Sequence, residues 1–238
     1  MKSNLFRWAT LFVALTVGVA NADSLVTWDF STLPATPDGA ENVEIPSPIM
    51  TAAEATVASG LSVSDLTSVG TTYSTAVAPG GVGTQIPGEL NAKNWDVGSD
   101  GINDSYLSFT LTADAGNVLD INSISTNLWR NGGGAPNGIA FDVSVDGGDF
   151  VLYDSIITAE TTGGGVYDPY VFSESISGAS SVEVRFAPRN NGAGSTGNLH
   201  IRGFNVDGAV RAVPEPNSLG LLAAGSLALL AIRRRRNR

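Results

Sequence analysis

Alternation of apolar and polar residues over much of the chain predicts a series of β-strands. In Ser105–Thr112, the side chains of Leu107, Phe109 and Leu111 lie on one face and mostly polar or small residues on the other, as in a half-buried strand. Other segments are rich in β-branched or aromatic residues, which favour strands. These segments are Ser24–Phe30, Leu119–Trp129, Ile139–Val145, Phe150–Ile157, Tyr170–Ile176, Val182–Ala187 and Leu199–Val206.

Glycine, asparagine and aspartate separate nearly all of these segments. Such breaks occur at 131–134, 146–148, 163–165 and 190–192. Short strands that recur at spacings of roughly ten residues, with glycine-rich turns between them, are typical of antiparallel sandwiches. The pattern therefore predicts an all-β protein, an antiparallel β-sandwich of the jelly-roll type.

Residues 31–103 differ from the rest in containing several prolines and many small residues, with Trp28 and Trp95 as large anchors at the edges. Proline has no N–H to donate to a β-ladder and confines strands to sheet edges. We therefore expect long loops here, with short strands such as Leu61–Val63 and one short helix over Ala52–Ala58.

Residues 1–22 have the parts of a secretory signal peptide. A basic start with Lys2 and Arg7 precedes an apolar run, and Ala20 and Ala22 form a small-x-small cleavage site. We predict an N-terminal signal helix that is cleaved, so that the mature chain is exported.

A short rigid motif, an apolar stretch and a basic end follow one another at the C-terminus. The motif consists of Val213, Pro214, Glu215 and Pro216, and the basic end of Arg233, Arg234, Arg235 and Arg236. The apolar stretch Ser218–Ile232 would reach about 22 Å as a transmembrane helix, which is short for a bilayer core. Because basic segments stay cytoplasmic, everything before Val213 would lie outside.

This arrangement resembles the PEP-CTERM sorting domain of bacterial exported proteins, with residues 213–238 as the sorting tail. Pro214, Glu215 and Pro216 match the family's motif residue by residue. The resemblance implies that the partner is an exosortase, a membrane protease or transpeptidase of bacteria that make exopolysaccharide. An ordinary C-terminal membrane anchor is the alternative.

The preceding residues are similar to the β-sandwich body of many PEP-CTERM proteins. The similarity is carried by 108–116, by 119–125, by the turn 146–148 and by the closing segment 199–208. In the closing segment, Arg202-Gly203-Phe204 replaces the Ile-Asp-Asn-Val sequence that is frequent there. This resemblance supports the sandwich fold over residues 23–210, and because of the replacement no ligand role of the family's Asp is carried over to this chain.

The exported part is strongly acidic. Residues 23–216 keep all 23 acidic residues but only 6 of the 13 basic ones, so the net charge changes from −10 for the whole chain to −17. Such a surface repels phosphate backbones and argues against a nucleic-acid partner. Cysteine is absent, so the packed core alone must stabilise the fold.

The residues offer little for catalysis. His200 is the only histidine, so no second imidazole or thiol exists to share a transition metal. No Gly-x-Ser-x-Gly motif occurs, and the glycines 192, 194 and 197 precede a strand, whereas a dinucleotide fingerprint requires a helix. We expect no enzymatic activity, no catalytic residues and a structural or surface role for His200.

Calcium is the one cofactor that the sequence suggests. Asp146 and Asp149, like Asp100, Asn103 and Asp104, lie in glycine-containing turns, and their oxygens are the hard ligands that Ca²⁺ prefers. The alternative is that these side chains close hairpins through local hydrogen bonds.

Aromatic residues beside glycine-rich turns suggest sugar binding. Trp95 and Trp129 would offer flat apolar faces on which sugar rings stack. Further candidates are Tyr106, Tyr153, Tyr167 and Tyr170. The alternative is that these rings plug the ends of the sandwich.

Two functions from different classes remain open. The first is a non-catalytic surface or matrix protein, sorted through its tail and linked to exopolysaccharide or biofilm. The second is a lectin-like carbohydrate-binding module with polysaccharide as its partner. In both, residues 207–216 are expected to form a stalk, and the protein is either anchored by its C-terminal helix or extracellular after processing.

Overall fold

Strands make up most of the described part of the protein. The computed structural model describes residues 23–33, 43–73, 88–93, 95, 105–131, 135–136, 138–157, 168–187 and 198–213. Two 3-10 turns, Phe30–Thr32 and Ala52–Glu54, accompany the strands. The strands are β1 Asp23–Asp29, β2 Thr56–Val57, β3 Leu61–Val63, β4 Thr67–Val69, β5 Thr72–Tyr73, β6 Leu90–Lys93, β7 Tyr106–Ala113, β8 Asn117–Asn131, β9 Gly138–Val145, β10 Val151–Ile157, β11 Asp168–Phe172, β12 Ile176–Ala179, β13 Ser181–Phe186 and β14 Asn198–Ala212.

The strands form two antiparallel sheets with jelly-roll connectivity. Sheet 1 has the order β11-β8-β14-β1-β2, with β12 beside β8 and β6 beside β14. Sheet 2 has the order β10-β9-β13-β7-β3, with β4 beside β7. From β7 to β14 the chain repeatedly crosses between the sheets, and the two four-strand blocks β11-β8-β14-β1 and β10-β9-β13-β7 are those of a jelly roll. The predicted fold class is confirmed.

Aromatic side chains from both sheets meet in the core. The Phe204 ring of sheet 1 lies 5.3 Å from the Phe186 ring and 5.9 Å from the Phe141 ring of sheet 2, measured between centroids. Trp28 of β1 likewise contacts Phe109 of β7 at 6.1 Å. Each fully buried ring of this size stabilises the fold by about 1.5–3 kcal/mol. Because the chain contains no cysteine, burial of these rings stabilises the fold without disulfides.

The segments predicted as strands all contain strands, with two differences in extent. Tyr170–Ile176 covers the end of β11 and the start of β12, which are separate strands, and β14 continues to Ala212, six residues beyond its predicted end. The short helix expected over Ala52–Ala58 is only a 3-10 turn, because the backbone becomes extended at Ala55 and continues into β2. The short strand Leu61–Val63 is confirmed as β3.

A bulge bends β14 where it passes β1. The register shifts between Ile201 and Gly203, and a Cβ added to Gly203, which has a φ of +151°, would lie 2.1 Å from the carbonyl oxygen of Trp28. The Thr126 hydroxyl donates to the Gly203 carbonyl at 2.8 Å. Only glycine permits this close approach between the two strands.

The two ends of the sandwich differ in their connections. Four short turns, 58–60, 114–116, 146–150 and 180, lie at the end where β1 begins and β14 finishes. Hydrogen bonds link three of them: Asp114 N–H donates to Gly60 and Ala113 N–H to Ser180, both at 2.9 Å. We call this end the tail-side face. The connections after β1, β8, β10 and β13 leave from strand ends on the opposite side.

Candidate functional site

The last strand carries the chain directly to the predicted sorting motif. β14 pairs with β8 as far as Ala212 opposite Asn117, and the next residue, Val213, donates its N–H to the Gly116 carbonyl at 2.7 Å. The predicted stalk over 207–216 is therefore wrong for residues 207–212, because these residues belong to the β-ladder. No spacer separates the folded body from Pro214.

An ion pair fastens the end of this strand. Arg211 Nη2 donates to Asp120 Oδ1 at 2.9 Å, and Arg211 Nε donates to Asp120 Oδ2. The same carboxylate accepts a hydrogen bond from the Ser177 hydroxyl at 2.8 Å and from Gly178 N–H at 2.9 Å. The hydrogen bond from Arg211 holds the pKa of Asp120 well below its usual range. The strand before the motif is thus attached to both β8 and the start of β12.

Most of the predicted targeting residues lie outside the described residues. These are Pro214, Glu215, Pro216, the stretch Ser218–Ile232, the arginines 233–236, and the signal peptide with Ala20 and Ala22. Val213, the first residue of the motif, is described and is 46% exposed. Within the part of the chain that the structure covers, no helix has the length and apolarity needed to cross a bilayer.

The two tryptophans predicted to stack on sugars are buried. Trp95 is 0% and Trp129 2% exposed. Trp95 Nε1 donates to the Ala92 carbonyl at 3.2 Å, and its ring packs edge-on against Phe186 at 5.8 Å. Sugar stacking at Trp95 and Trp129 is therefore a wrong prediction, because a ring face covered by protein cannot contact a ligand. Trp95 lies in the core between the sheets, whereas Trp129 packs against His200 on the face of sheet 1 that points away from the core.

A partly exposed aromatic site lies on the outer face of sheet 2. Val182, Val184 and Phe186 of β13 point into the core, which sends Arg185 outward. The Arg185 guanidinium carbon lies 4.3 Å from the centroid of the Tyr106 ring and 3.5 Å from that of Phe150. We call Tyr106, Phe150 and Arg185 the arginine platform.

The guanidinium of this platform is held in place but keeps free donors. Arg185 Nε donates to Glu183 Oε1 at 3.1 Å, and its side chain is 29% exposed. The described residues offer no partner to its two Nη atoms. Tyr106 was among the predicted sugar-stacking residues, whereas Phe150 and Arg185 were not. The missed sequence signal for Arg185 is its outward position in the alternating segment 181–186.

Asp146 is used in a turn contact. Its Oδ1 accepts hydrogen bonds from the Ser180 hydroxyl at 2.6 Å and from the N–H groups of Ser180 and Ser181 at 2.8 Å. These bonds, with that of the Ser180 hydroxyl the largest, lower the pKa of Asp146. For Asp146, this is the local hydrogen bonding given as the alternative to calcium. Among the described residues no three His, Cys, Asp or Glu side chains form a group able to hold a metal.

His200 forms a buried pair with Glu89. His200 Nδ1 lies 2.6 Å from Glu89 Oε1, and the two side chains are 1% and 2% exposed. The imidazole packs on the Trp129 ring with centroids 4.3 Å apart. His200 and Trp129 lie opposite each other on β14 and β8, on the face of sheet 1 that points away from the core. Burial gives His200 a structural role, one of the two that the sequence indicated.

A shallow cavity of about 190 Å³ lies over the bulge of β14. Polar side chains, including those of Asp29, Asn127 and Arg202, line it together with the backbone of Gly203. Pockets that enclose small ligands are typically larger, about 300–1,000 Å³. This cavity is therefore a surface depression that can hold water or one small polar group.

The fold is an antiparallel jelly roll whose last strand ends directly before the predicted sorting motif. Residues 212–236 match the family model of the PEP-CTERM protein-sorting motif. The sequence-based identification of the tail is therefore confirmed. The motif implies a protein that is exported, associates with the membrane of the cell envelope and is processed by an exosortase.

No curated protein matches the chain. Several solved structures resemble it at low identity. A GH26-CBM35 β-(1,4)-mannanase of Podospora anserina shares 14% identity over 67% of this chain, with a TM-score of 0.35, and this chain spans 29% of it. A CBM32 module from Clostridium perfringens, in complex with GalNAc-β-1,3-galactose, shares 17% identity over 62% of this chain and 94% of its own, with a TM-score of 0.30. The C-terminal domain of a Bacteroides fragilis chitobiase shares 16% identity over 64% of this chain and 96% of its own, with a TM-score of 0.33.

Proposed function

We propose that this protein is a non-catalytic component of the bacterial cell surface or extracellular matrix, linked to exopolysaccharide or biofilm. The observation that carries the proposal is the sorting motif at residues 212–236, which begins where the last strand of a folded sandwich ends. The body is what the cell displays, and the tail is the part that directs it there.

The acidic, disulfide-free body supports this proposal. Its excess of carboxylates keeps the protein soluble outside the cell and away from phosphate polymers. The one histidine is enclosed and paired with Glu89, so it cannot exchange protons with a substrate at the surface. Asp146 Oδ1 accepts a hydrogen bond from Ser180 N–H in a neighbouring turn. We therefore propose a display or adhesion role without a bound metal.

The tail would act in two stages. Before processing, Ser218–Ile232 would cross the membrane, with Arg233–Arg236 on the cytoplasmic side. After an exosortase acts at Pro214–Pro216, the sandwich would remain on the cell surface or enter the matrix. Signal-peptide cleavage after Ala22 would precede both stages.

Cell fractionation of a motif variant tests this function in the native host. Replacing Pro214, Glu215 and Pro216 together by alanine should keep the protein in the membrane fraction with its tail attached. The control is Val213→Ala, which keeps the three motif residues. Equal amounts of both proteins in the surface and matrix fractions would contradict sorting through the motif.

The arginine platform favours carbohydrate binding as the second candidate function. Arg185 presents free Nη donors between the rings of Tyr106 and Phe150. A guanidinium binds carboxylate groups through paired hydrogen bonds, and the two ring faces that it covers hold it in place. We propose that the ligand of this candidate site is a uronic-acid polysaccharide, whose direct pairing with Arg185 outweighs its repulsion by the acidic body.

Affinity electrophoresis in polygalacturonate and in a neutral glucan tests this second function. Arg185→Ala should abolish retardation in the acidic gel, whereas Arg202→Ala, which removes an arginine on sheet 1, should not. Lack of retardation of the unaltered protein in the acidic gel would reject the site. Equal retardation of both variants would place binding elsewhere and also reject it.

A further inference from the structure

The folded body and the sorting motif meet at one residue. Val213 is hydrogen-bonded to Gly116, and the residues before it, Arg211 and Ala212, pair with Val118 and Asn117. Arg211 also donates a hydrogen bond to the Asp120 carboxylate. The start of the motif is thereby fixed against the tail-side face.

The tail-side face is a continuous surface of short turns. Gly116, which holds Val213, belongs to the same turn as Asp114, whose N–H is bonded to Gly60. Ala113 N–H reaches Ser180, and Ser180 in turn donates to Asp146. One hydrogen-bonded network therefore runs from the motif across four connections.

The distance from this face to the motif is short. Consecutive Cα atoms are about 3.8 Å apart, so the Cα of Glu215 lies within about 8 Å of that of Val213. A protein interface typically covers about 800 Å² on each partner. An enzyme whose groove encloses Pro214–Pro216 therefore cannot reach them without covering part of the tail-side face.

We propose that the exosortase docks on the tail-side face when it reads the motif, so that this face is a second recognition surface beside Pro214–Pro216. The inference rests on the proposed function. Asp114, Asp146 and Asp149 are exposed on this face, and Arg211 is already paired with Asp120. The enzyme surface that meets it is therefore neutral or basic, since a surface of like charge would be repelled.

A bulky label placed on this face tests the docking. The chain contains no cysteine, so one engineered cysteine is labelled specifically. Ala115→Cys lies exposed in the turn beside Val213, and the matched control Thr32→Cys lies exposed after β1, near the opposite end. Each full-length variant is coupled to a maleimide polymer and incubated with exosortase-containing membranes, and loss of the tail is followed by mass.

The label at residue 115 should slow processing by about tenfold or more relative to the label at residue 32. A flexible spacer of about 12 residues between Val213 and Pro214, about 20 Å in mean span, should by itself slow processing of the unlabelled chain, because it separates the motif from the docking face. Equal rates for the two labelled variants would overturn the inference. It would also be overturned if the spacer restored the rate of the chain labelled at residue 115, since the label would then act only by crowding the motif. Failure of the unlabelled chain to be processed would reject the proposed sorting itself.

Discussion

The Nδ1 atom of His200 lies 2.6 Å from Oε1 of Glu89, and both side chains are enclosed within the protein. Glu89 Oε2 and His200 Nε2 have no hydrogen-bond partner among the described residues. Each of the two side chains therefore depends on the other for its polar contact. The loss of one partner leaves a buried polar group unsatisfied, which is more costly than the loss of both.

Glu89→Ala is expected to destabilise the sandwich by about 1–3 kcal/mol, because it leaves the buried His200 side chain without its hydrogen-bond partner. Urea denaturation of residues 23–213 measures the free energy of unfolding. The double variant Glu89→Met, His200→Leu should be more stable than Glu89→Ala, because it removes both polar groups and refills the space. If the double variant were less stable than Glu89→Ala, the unpaired His200 side chain could not be the cause of the lost stability.

Gly203→Ala is expected to cost on the order of 3 kcal/mol, since its Cβ would collide with the Trp28 carbonyl between β14 and β1. The matched control is Gly147→Ala, where φ is +74° but nothing lies within 4 Å of the added Cβ. Strain alone should cost that control about 1–2 kcal/mol. Thermal unfolding followed by circular dichroism compares the two. Similar midpoints for both variants would contradict a close contact at the bulge.

The Asp120–Arg211 pair should make stability depend on acidic pH. Because the folded state lowers the pKa of Asp120 from its ordinary value of 3.8, its contribution is present above that pH and is lost as the pH falls below it. The contribution is about 1 kcal/mol or less, since the pair is partly exposed.

Urea midpoints between pH 6 and pH 3 measure this dependence. Asp120→Asn should flatten the acid side of the profile, whereas the control Asp149→Asn, an exposed turn residue, should leave it unchanged. Asp146 also has a lowered pKa, so part of the slope should persist in Asp120→Asn. An unaltered slope in that variant would mean that the pair adds nothing to the fold.

The fold followed from the sequence because strand alternation and turn chemistry are local. On β7, Leu107, Phe109 and Leu111 alternate with polar residues, and all three side chains face the core of the sandwich as predicted. The extension of β14 to Ala212 did not follow, because Asp207–Ala212 lacks a clean alternation. Its pairing is imposed by β8, a partner about 90 residues earlier in the chain.

The candidate site was less predictable, since burial depends on what covers a residue. Trp129 and His200 occupy outward positions of sheet 1, so alternation alone places them at the surface, yet both are enclosed. The arginine platform joins residues from β7, β13 and the turn before β10, which only the folded sheet brings together. The sorting motif, by contrast, is contiguous and could be identified from the sequence.

The intact mass of the mature protein tests the central claim most directly. The full chain is expressed in one host with an exosortase and in the same host with the exosortase gene deleted. We predict that the protein lacks the segment after the Pro214–Pro216 motif only in the first host. A tail that persists in both hosts, or is lost in both, would contradict sorting by an exosortase.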